Sequence, residues 1–146
     1  IHPKIRLRFD TQEKFFGPGV CELLELIDET GSVQKACVRM ELSYSKGSKM
    51  LKKLDQVIGI SIVERWTGGA GGGGARLTEA GQKLVKTYRK METEVQKATE
   101  DAFYKYYGED FRNAITINSS ITEESVISLE KAIIDIQTGG TTDEAD

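Results

Sequence analysis

The stretch Ile62-Val63-Glu64-Arg65-Trp66-Thr67-Gly68-Gly69-Ala70-Gly71-Gly72-Gly73-Gly74-Ala75-Arg76-Leu77-Thr78 decides the fold. Its first part, together with Ile60 and Ser61, is rich in β-branched residues and roughly alternates apolar with polar ones, as a strand does. A run of glycines follows, then the short Ala75-Arg76-Leu77 segment, and Thr78-Glu79 opens a helix. Strand, glycine loop, short strand and helix is the order of a wing. The loop composition by itself also suits a flexible linker. It holds no Gly-Lys-Ser or Gly-Lys-Thr, so a nucleotide-cradling loop is not indicated. Arg65 and Arg76 bracket the glycines, so a hairpin tip at Gly71, Gly72 and Gly73 would set two cations beside backbone able to approach a sugar-phosphate chain. Trp66 is expected to brace the base of this wing, with stacking on a sugar as the alternative.

Upstream, three amphipathic segments lead into the wing. Val20 to Thr30 carries Leu23, Leu24, Leu26 and Ile27 among acidic residues and ends at Gly31, a helix with a glycine cap. Ser32 caps a second helix, in which Val33, Ala36, Cys37 and Met40 share one face. After a tight turn at Glu41-Leu42, Ser43 caps a third helix running to Gly59. At 3.6 residues per turn Gly47, Leu51, Leu54 and Ile58 form its buried stripe, with Tyr44 and Met50 at the borders. Ser45, Lys49, Lys52 and Gln56 point the other way. Two short helices and a longer cationic one, the last pair joined by a tight turn, is a helix-turn-helix. Gly47 faces inward where the second and third helices cross. Further upstream, Lys4-Ile5-Arg6-Leu7-Arg8-Phe9 alternates like a half-buried strand, which Phe15-Phe16-Gly17-Pro18-Gly19 breaks.

Downstream, Leu84, Tyr88, Met91, Val95, Ala98 and Ala102 recur at spacings of four and three, a heptad seam that calls for a partner helix. The same helix of a second subunit is the natural partner, giving a homodimer. Beyond Gly108 the pattern weakens. Ala114 to Asn118 reads as a brief strand, Thr122 to Gln137 as an amphipathic helix through Val126, Leu129, Ile133 and Ile136, and Gly139 to Asp146 as a frayed acidic end. The expected fold is mainly α with a small β wing. Residues 1–78 form the winged helix-turn-helix, 79–107 the long dimerisation helix, and 108–146 a partly helical acidic extension.

Charge placement points to a polyanion for the front of the chain. Residues 1–90 hold 16 Lys and Arg against 10 Asp and Glu, whereas residues 91–146 hold 4 against 13. A basic front and an acidic back suggest that only the first part meets nucleic acid. Duplex recognition needs polar side chains that reach base edges and cations for phosphates. Ser45, Lys46, Ser48 and Lys49, with Tyr44 beside them, occupy the first turns of the third helix, where bases are read. Lys52 and Lys53 lie further along, where phosphates are met. Ser32 and Ser43 begin helices whose free N–H groups favour an anion.

Other functions find little support. His2 is the only histidine, and neither a Ser-His-Asp nor a Cys-His set can be assembled. Cys21 and Cys37 have no metal-ligand companions and read as small apolar residues of amphipathic helices, as in a reducing compartment. No catalytic residue, metal or cofactor is therefore expected. No apolar run approaches the roughly 20 residues of a membrane-spanning helix, and the N-terminus lacks the apolar core of a signal peptide. A cytoplasmic protein without membrane contact follows as an expectation.

Gly31-Ser32-Val33, Leu42-Ser43-Tyr44, Ile62-Val63-Glu64-Arg65 and Thr67 to Thr78 together resemble the N-terminal DNA-binding domain of ModE-type molybdenum-responsive regulators. The glycine-rich wing between Glu-Arg and Leu-Thr is the specific part, and the helix-turn-helix residues are shared with LysR-type regulators. The similarity spans about Lys4 to Asp101. It implies a dimeric winged helix-turn-helix on a pseudo-palindromic operator in the bacterial cytoplasm. Two departures stand out. Gly47-Ser48 occupies the place where family members often carry Ala-Trp, which implies a different operator. Residues 108–146 are too few for the molybdate-binding domains of such regulators and show no oxyanion site, so no small-molecule effector site is expected.

The leading expectation is a transcriptional regulator that binds double-stranded DNA as a homodimer. Its rival is a protein-interaction module on a winged-helix fold that does not bind DNA. A third reading has the acidic tail folding over the basic face.

Overall fold

Pro18 starts α1 (Pro18–Thr30), a position where its missing N–H leaves no helical bond unmade. The computed structural model describes residues 1–68, 72–120 and 123–145, and side chains over 1–68, 72–116 and 127–138. Cys21, Leu23, Leu24, Leu26 and Ile27 of α1 are buried, and Gly31, at a φ of 71°, closes the helix by donating to Ile27 O at 2.8 Å. Ser32 begins α2 (Val33–Arg39), its hydroxyl accepting the Lys35 N–H at 3.1 Å. At the turn Glu41 adopts a φ of 56°, and the next N–H, of Leu42, reaches back to Cys37 O at 2.9 Å. Ser43 then caps α3 (Tyr44–Ile58) through the Lys46 N–H at 3.1 Å. A side chain on Gly47 would collide with Cys37 Sγ, so glycine is what allows α2 and α3 to cross this closely.

The chain leaves α3 through Gly59 and reaches the hairpin of β3 (Val63–Trp66) and β4 (Gly74–Leu77). The strand begins at Val63 rather than at Ile60. Ile62 is buried, and its N–H is taken by Asp55 Oδ1 of α3 at 3.2 Å. Thr78 locks the base of the hairpin: its N–H donates to Ile62 O at 2.9 Å and its hydroxyl to Ser61 O at 2.7 Å. The same hydroxyl accepts the Gly81 N–H at 3.1 Å, which starts α4 (Glu79–Tyr107). Ala75 N–H donates to Gly31 O at 2.8 Å and pins β4 to the end of α1.

The N-terminal segment keeps the expected alternation, with Ile5, Leu7 and Phe9 half-buried and Lys4, Arg6 and Arg8 exposed, but it is not the strand expected over residues 4–9. Its hydrogen bonds go to α4 instead. Ile5 N–H donates to Gln96 Oε1 at 3.0 Å, Gln96 Nε2 to Pro3 O at 2.9 Å, and the Tyr88 hydroxyl to Leu7 O at 2.9 Å. Only Phe9–Asp10 (β1) is strand, paired antiparallel with Lys14–Phe16 (β2) through a register shift. Tyr88 meets Phe9 and Phe16 edge-on, at centroid distances of 5.7 and 4.9 Å. These rings extend the core of α1, α2 and α3 up to α4. Burial pushes the Tyr88 phenol and the Cys21 thiol up to about 12 each, so both stay neutral inside the fold.

Residues 3–99 make one compact unit, and residues 100–146 with Ile1 and His2 make another. In the second, the brief strand expected at Ala114 to Asn118 is instead part of helix α5 (Phe111–Ser120). Asp110 overrides the β-branched pattern by capping, its carboxylate accepting the Asn113 N–H at 3.1 Å. Phe111 packs its ring 5.6 Å from Phe103 and 4.9 Å from Tyr107. Helix α6 (Glu123–Ala145) continues past Gln137 through the two glycines, where a frayed end was expected, since glycine tolerates helical backbone at a cost of about 1 kcal/mol each. Of its expected stripe, Leu129, Ile133 and Ile136 are exposed; Thr122 and the Val126 side chain lie outside the described residues.

Candidate nucleic-acid interface

Helix α3 presents four stripes, and each has a different neighbour. Gly47, Leu51 and Leu54 face the core. Ser45, Lys49, Lys52 and Gln56 are all exposed on the opposite side, where Lys49 and Lys52 have no carboxylate partner among the described residues. On one flank, Tyr44, Ser48 and Asp55 turn toward the wing. The Tyr44 hydroxyl accepts from Arg65 Nη1 at 3.4 Å, and Ser48 is half-buried, so it stands aside from the outer row. On the other flank, Lys46, Met50 and Lys53 turn toward β2, and Lys53 is ion-paired with Glu13 at 2.5 Å. That pair holds the exposed Glu13 carboxyl below its ordinary range.

The wing separates the two arginines that bracket the glycines in sequence. Glu64 pairs with Arg76, Arg65 with Ala75 and Trp66 with Gly74. Successive strand residues point to opposite faces, so Arg65 shares a face with the buried Ala75 and Leu77, and Arg76 shares the other with Glu64 and Trp66. Arg65 reaches Tyr44 at the start of α3. Arg76 is held away, its Nε donating to Glu64 Oε2 at 2.9 Å and its guanidinium lying 5.6 Å from the centre of the Trp66 ring. The two arginines expected side by side at the glycine tip thus leave the hairpin on opposite faces, by strand parity.

Trp66 braces the wing. A Cβ built on Gly74 would stand 2.5 Å from the indole, and one on Gly73 would stand 2.8 Å from Trp66 O, so both glycines make room for close packing. Gly72 has a φ of 77°, a conformation that favours glycine; Gly71 lies outside the described residues. Ser32, Tyr44, Arg65, Trp66 and Gly73 line a recess of about 430 Å³ between the starts of α2 and α3 and the wing. Gln34, which sequence reasoning passed over, lines it too; its exposed place in the first turn of α2 was the available signal.

Along α4 the expected dimer seam divides. Tyr88 is 1% exposed and belongs to the protomer's own aromatic core, so it is removed from the interface set. Leu84 is half-buried against the same core, and Val95 is half-buried. Met91, Ala98 and Ala102 are exposed. Sequence reasoning also left Arg6, Arg8 and Lys14 out of the site, although the alternation of Arg6 and Arg8 with apolar residues marked those two as surface cations. Among the described residues no three His, Cys, Asp or Glu side chains gather to hold a metal, and no helix is long and apolar enough to cross a membrane.

Residues 21–82 match the family described as "Bacterial regulatory helix-turn-helix protein, lysR family". This segment is a LysR-type helix-turn-helix domain. The match takes in α1, α2, α3, the wing and the start of α4. The chain carrying this LysR-type domain is 34% identical over 99 residues to the transcriptional regulator ModE of Yersinia pestis, covering 67% of this chain and 38% of that protein. It is 32% identical over 131 residues to the DNA-binding transcriptional dual regulator ModE of Escherichia coli (strain K12), covering 89% of this chain and 47% of the relative. With the molybdenum transport protein ModE of Azotobacter vinelandii it shares 36% identity over 76 residues, which is 52% of this chain and 28% of the relative. The chain thus spans less than half the length of these curated relatives.

Proposed function

We propose that this chain is a DNA-binding transcriptional regulator that recognises duplex DNA sequence-specifically as a homodimer in the cytoplasm. The observation that carries the reading is the outer row of α3. Ser45, Lys49, Lys52 and Gln56 are exposed together on the side opposite the core, on a LysR-type helix-turn-helix. In this reading α3 of each subunit enters a major groove, and the half-sites lie about one helical turn apart. Met91, Val95, Ala98 and Ala102 are the proposed dimer contacts along residues 79–107, and residues 108–146 follow as an acidic extension. The names of the relatives make promoters of molybdenum-related genes the first targets to try.

Selection of bound sequences from a random duplex pool tests the reading, and enrichment of a pseudo-palindrome is the expected result. On the enriched duplex, Lys49→Ala and Lys52→Ala are each expected to lower the slope of log affinity against log salt by about 0.9 for every phosphate left unneutralised. No retention of any duplex at low salt would reject DNA binding.

A further inference from the structure

On the flank of α3 away from the wing, the arm before β1, β2 and the start of α1 leave a groove of about 390 Å³. Phe16, Pro18, Val20 and Met50 supply apolar lining, and Arg6, Arg8, Lys14, Lys46 and Lys53 surround it. Two carboxylates answer these five cations: Asp10 pairs with Arg8 at 3.3 Å and Glu13 with Lys53 at 2.5 Å. Arg6, Lys14 and Lys46 have no carboxylate partner among the described residues, and all three are exposed. On α3 the groove is bordered by Lys46, which stands in the first turn of that helix next in sequence to Ser45 of the outer row. A cationic rim left unneutralised at the edge of a helix that enters a groove of DNA suits the next stretch of the same backbone.

We infer that the β1–β2 hairpin and the arm before it form a second phosphate-binding flank, with Arg6, Lys14 and Lys46 gripping the sugar-phosphate backbone on the side of α3 opposite the wing. The inference rests on the DNA-binding reading above. Its occupant is a polyanion with regularly spaced monoanionic groups, met without regard to base sequence. Ion pairing keeps Arg8 and Lys53 in supporting positions: Lys53 ties the β1–β2 turn to α3 through Glu13, and Arg8 pairs with Asp10 within the hairpin.

The test uses the full chain and two probes, the selected duplex and a scrambled duplex of equal length. Arg6→Gln with Lys14→Gln is expected to lower the salt slope by about 3.6, that is about 0.9 for each of the four cations removed from the homodimer, and by the same amount on both duplexes. Both side chains are exposed and make no ion pair among the described residues, so an unchanged thermal melt is expected, and Lys14→Gln alone serves as the milder variant with a change of about 1.8 for the homodimer. If wild type binds the selected duplex, Lys49→Ala lowers the slope and the hairpin variants do not, the flank is overturned while the function stands. If wild type retains neither duplex, the functional reading itself fails. If the hairpin variants tighten binding, the groove holds an acidic segment of the chain rather than DNA, which also overturns the proposal.

Discussion

The two strand pairs that flank α3 are built by different means. The wing is regular: four residues pair with four in an unbroken register, and Trp66 packs over Gly74 to stiffen the end next to the glycine loop. Local alternation then assigns Arg65 to the helix side and Arg76 to the outer side. The hairpin on the opposite flank pairs two residues with three through a register shift, too little to stand alone. It is held by distant contacts, the Tyr88 ring against Phe9 and Phe16 and the Tyr88 hydroxyl on Leu7 O. A flank can thus be rigid through its own pairing or through what lies beneath it, and the two should fail differently.

The largest expected effect comes from removing what lies beneath the hairpin. Tyr88→Ala should destabilise the protein by about 3–5 kcal/mol, as loss of a buried ring does, read from the urea midpoint. Hydrogen exchange should rise first over residues 3–16 and leave β3 and β4 protected; uniform loss of protection would mean that the two flanks share one support. Gly81→Ala strikes the other side, because its methyl group would collide with the carbonyl oxygen of Ile62, a backbone atom that cannot swing away. Overpacking of that kind should cost about 1–3 kcal/mol and loosen the base of the wing, and a variant as stable as wild type would show that Thr78 alone holds it. The smallest effect tests strand parity. Arg65→Ala should lower the salt slope of duplex binding by about 0.9 per subunit and Arg76→Ala should leave it unchanged, whereas equal losses would place both arginines on DNA.

Much of the helix-turn-helix was legible because its signals are short. Ser32 and Ser43 cap the helices they precede, Gly31 and Gly59 end the helices they follow, and the inward Gly47 sits where α2 and α3 cross. The heptad along α4 was read correctly as apolar spacing and incompletely as an interface. Spacing marks a stripe but does not say what covers it, and the aromatic rings of the protomer itself cover Tyr88. At Ala114 to Asn118 the alternation of β-branched residues pointed to a strand, and one capping carboxylate with a ring-packed Phe111 outweighed it. The hairpin cations escaped notice because residues 4–16 lie some thirty positions before α3, and nothing in their order announces the helix beside which they fold.

From its order of residues alone this chain specifies the succession of helices and wing, the caps, and the outward row Ser45, Lys49, Lys52 and Gln56. Those features depend on dihedral preference and on periods of two or 3.6 residues, which neighbours along the chain settle among themselves. The parting of Arg65 from Arg76, the burial of Tyr88 and the arrival of Arg6 and Lys14 beside Lys46 needed the folded molecule. Each depends on which strand register forms or which surface meets which, and such pairings between distant residues are fixed only when the whole core closes.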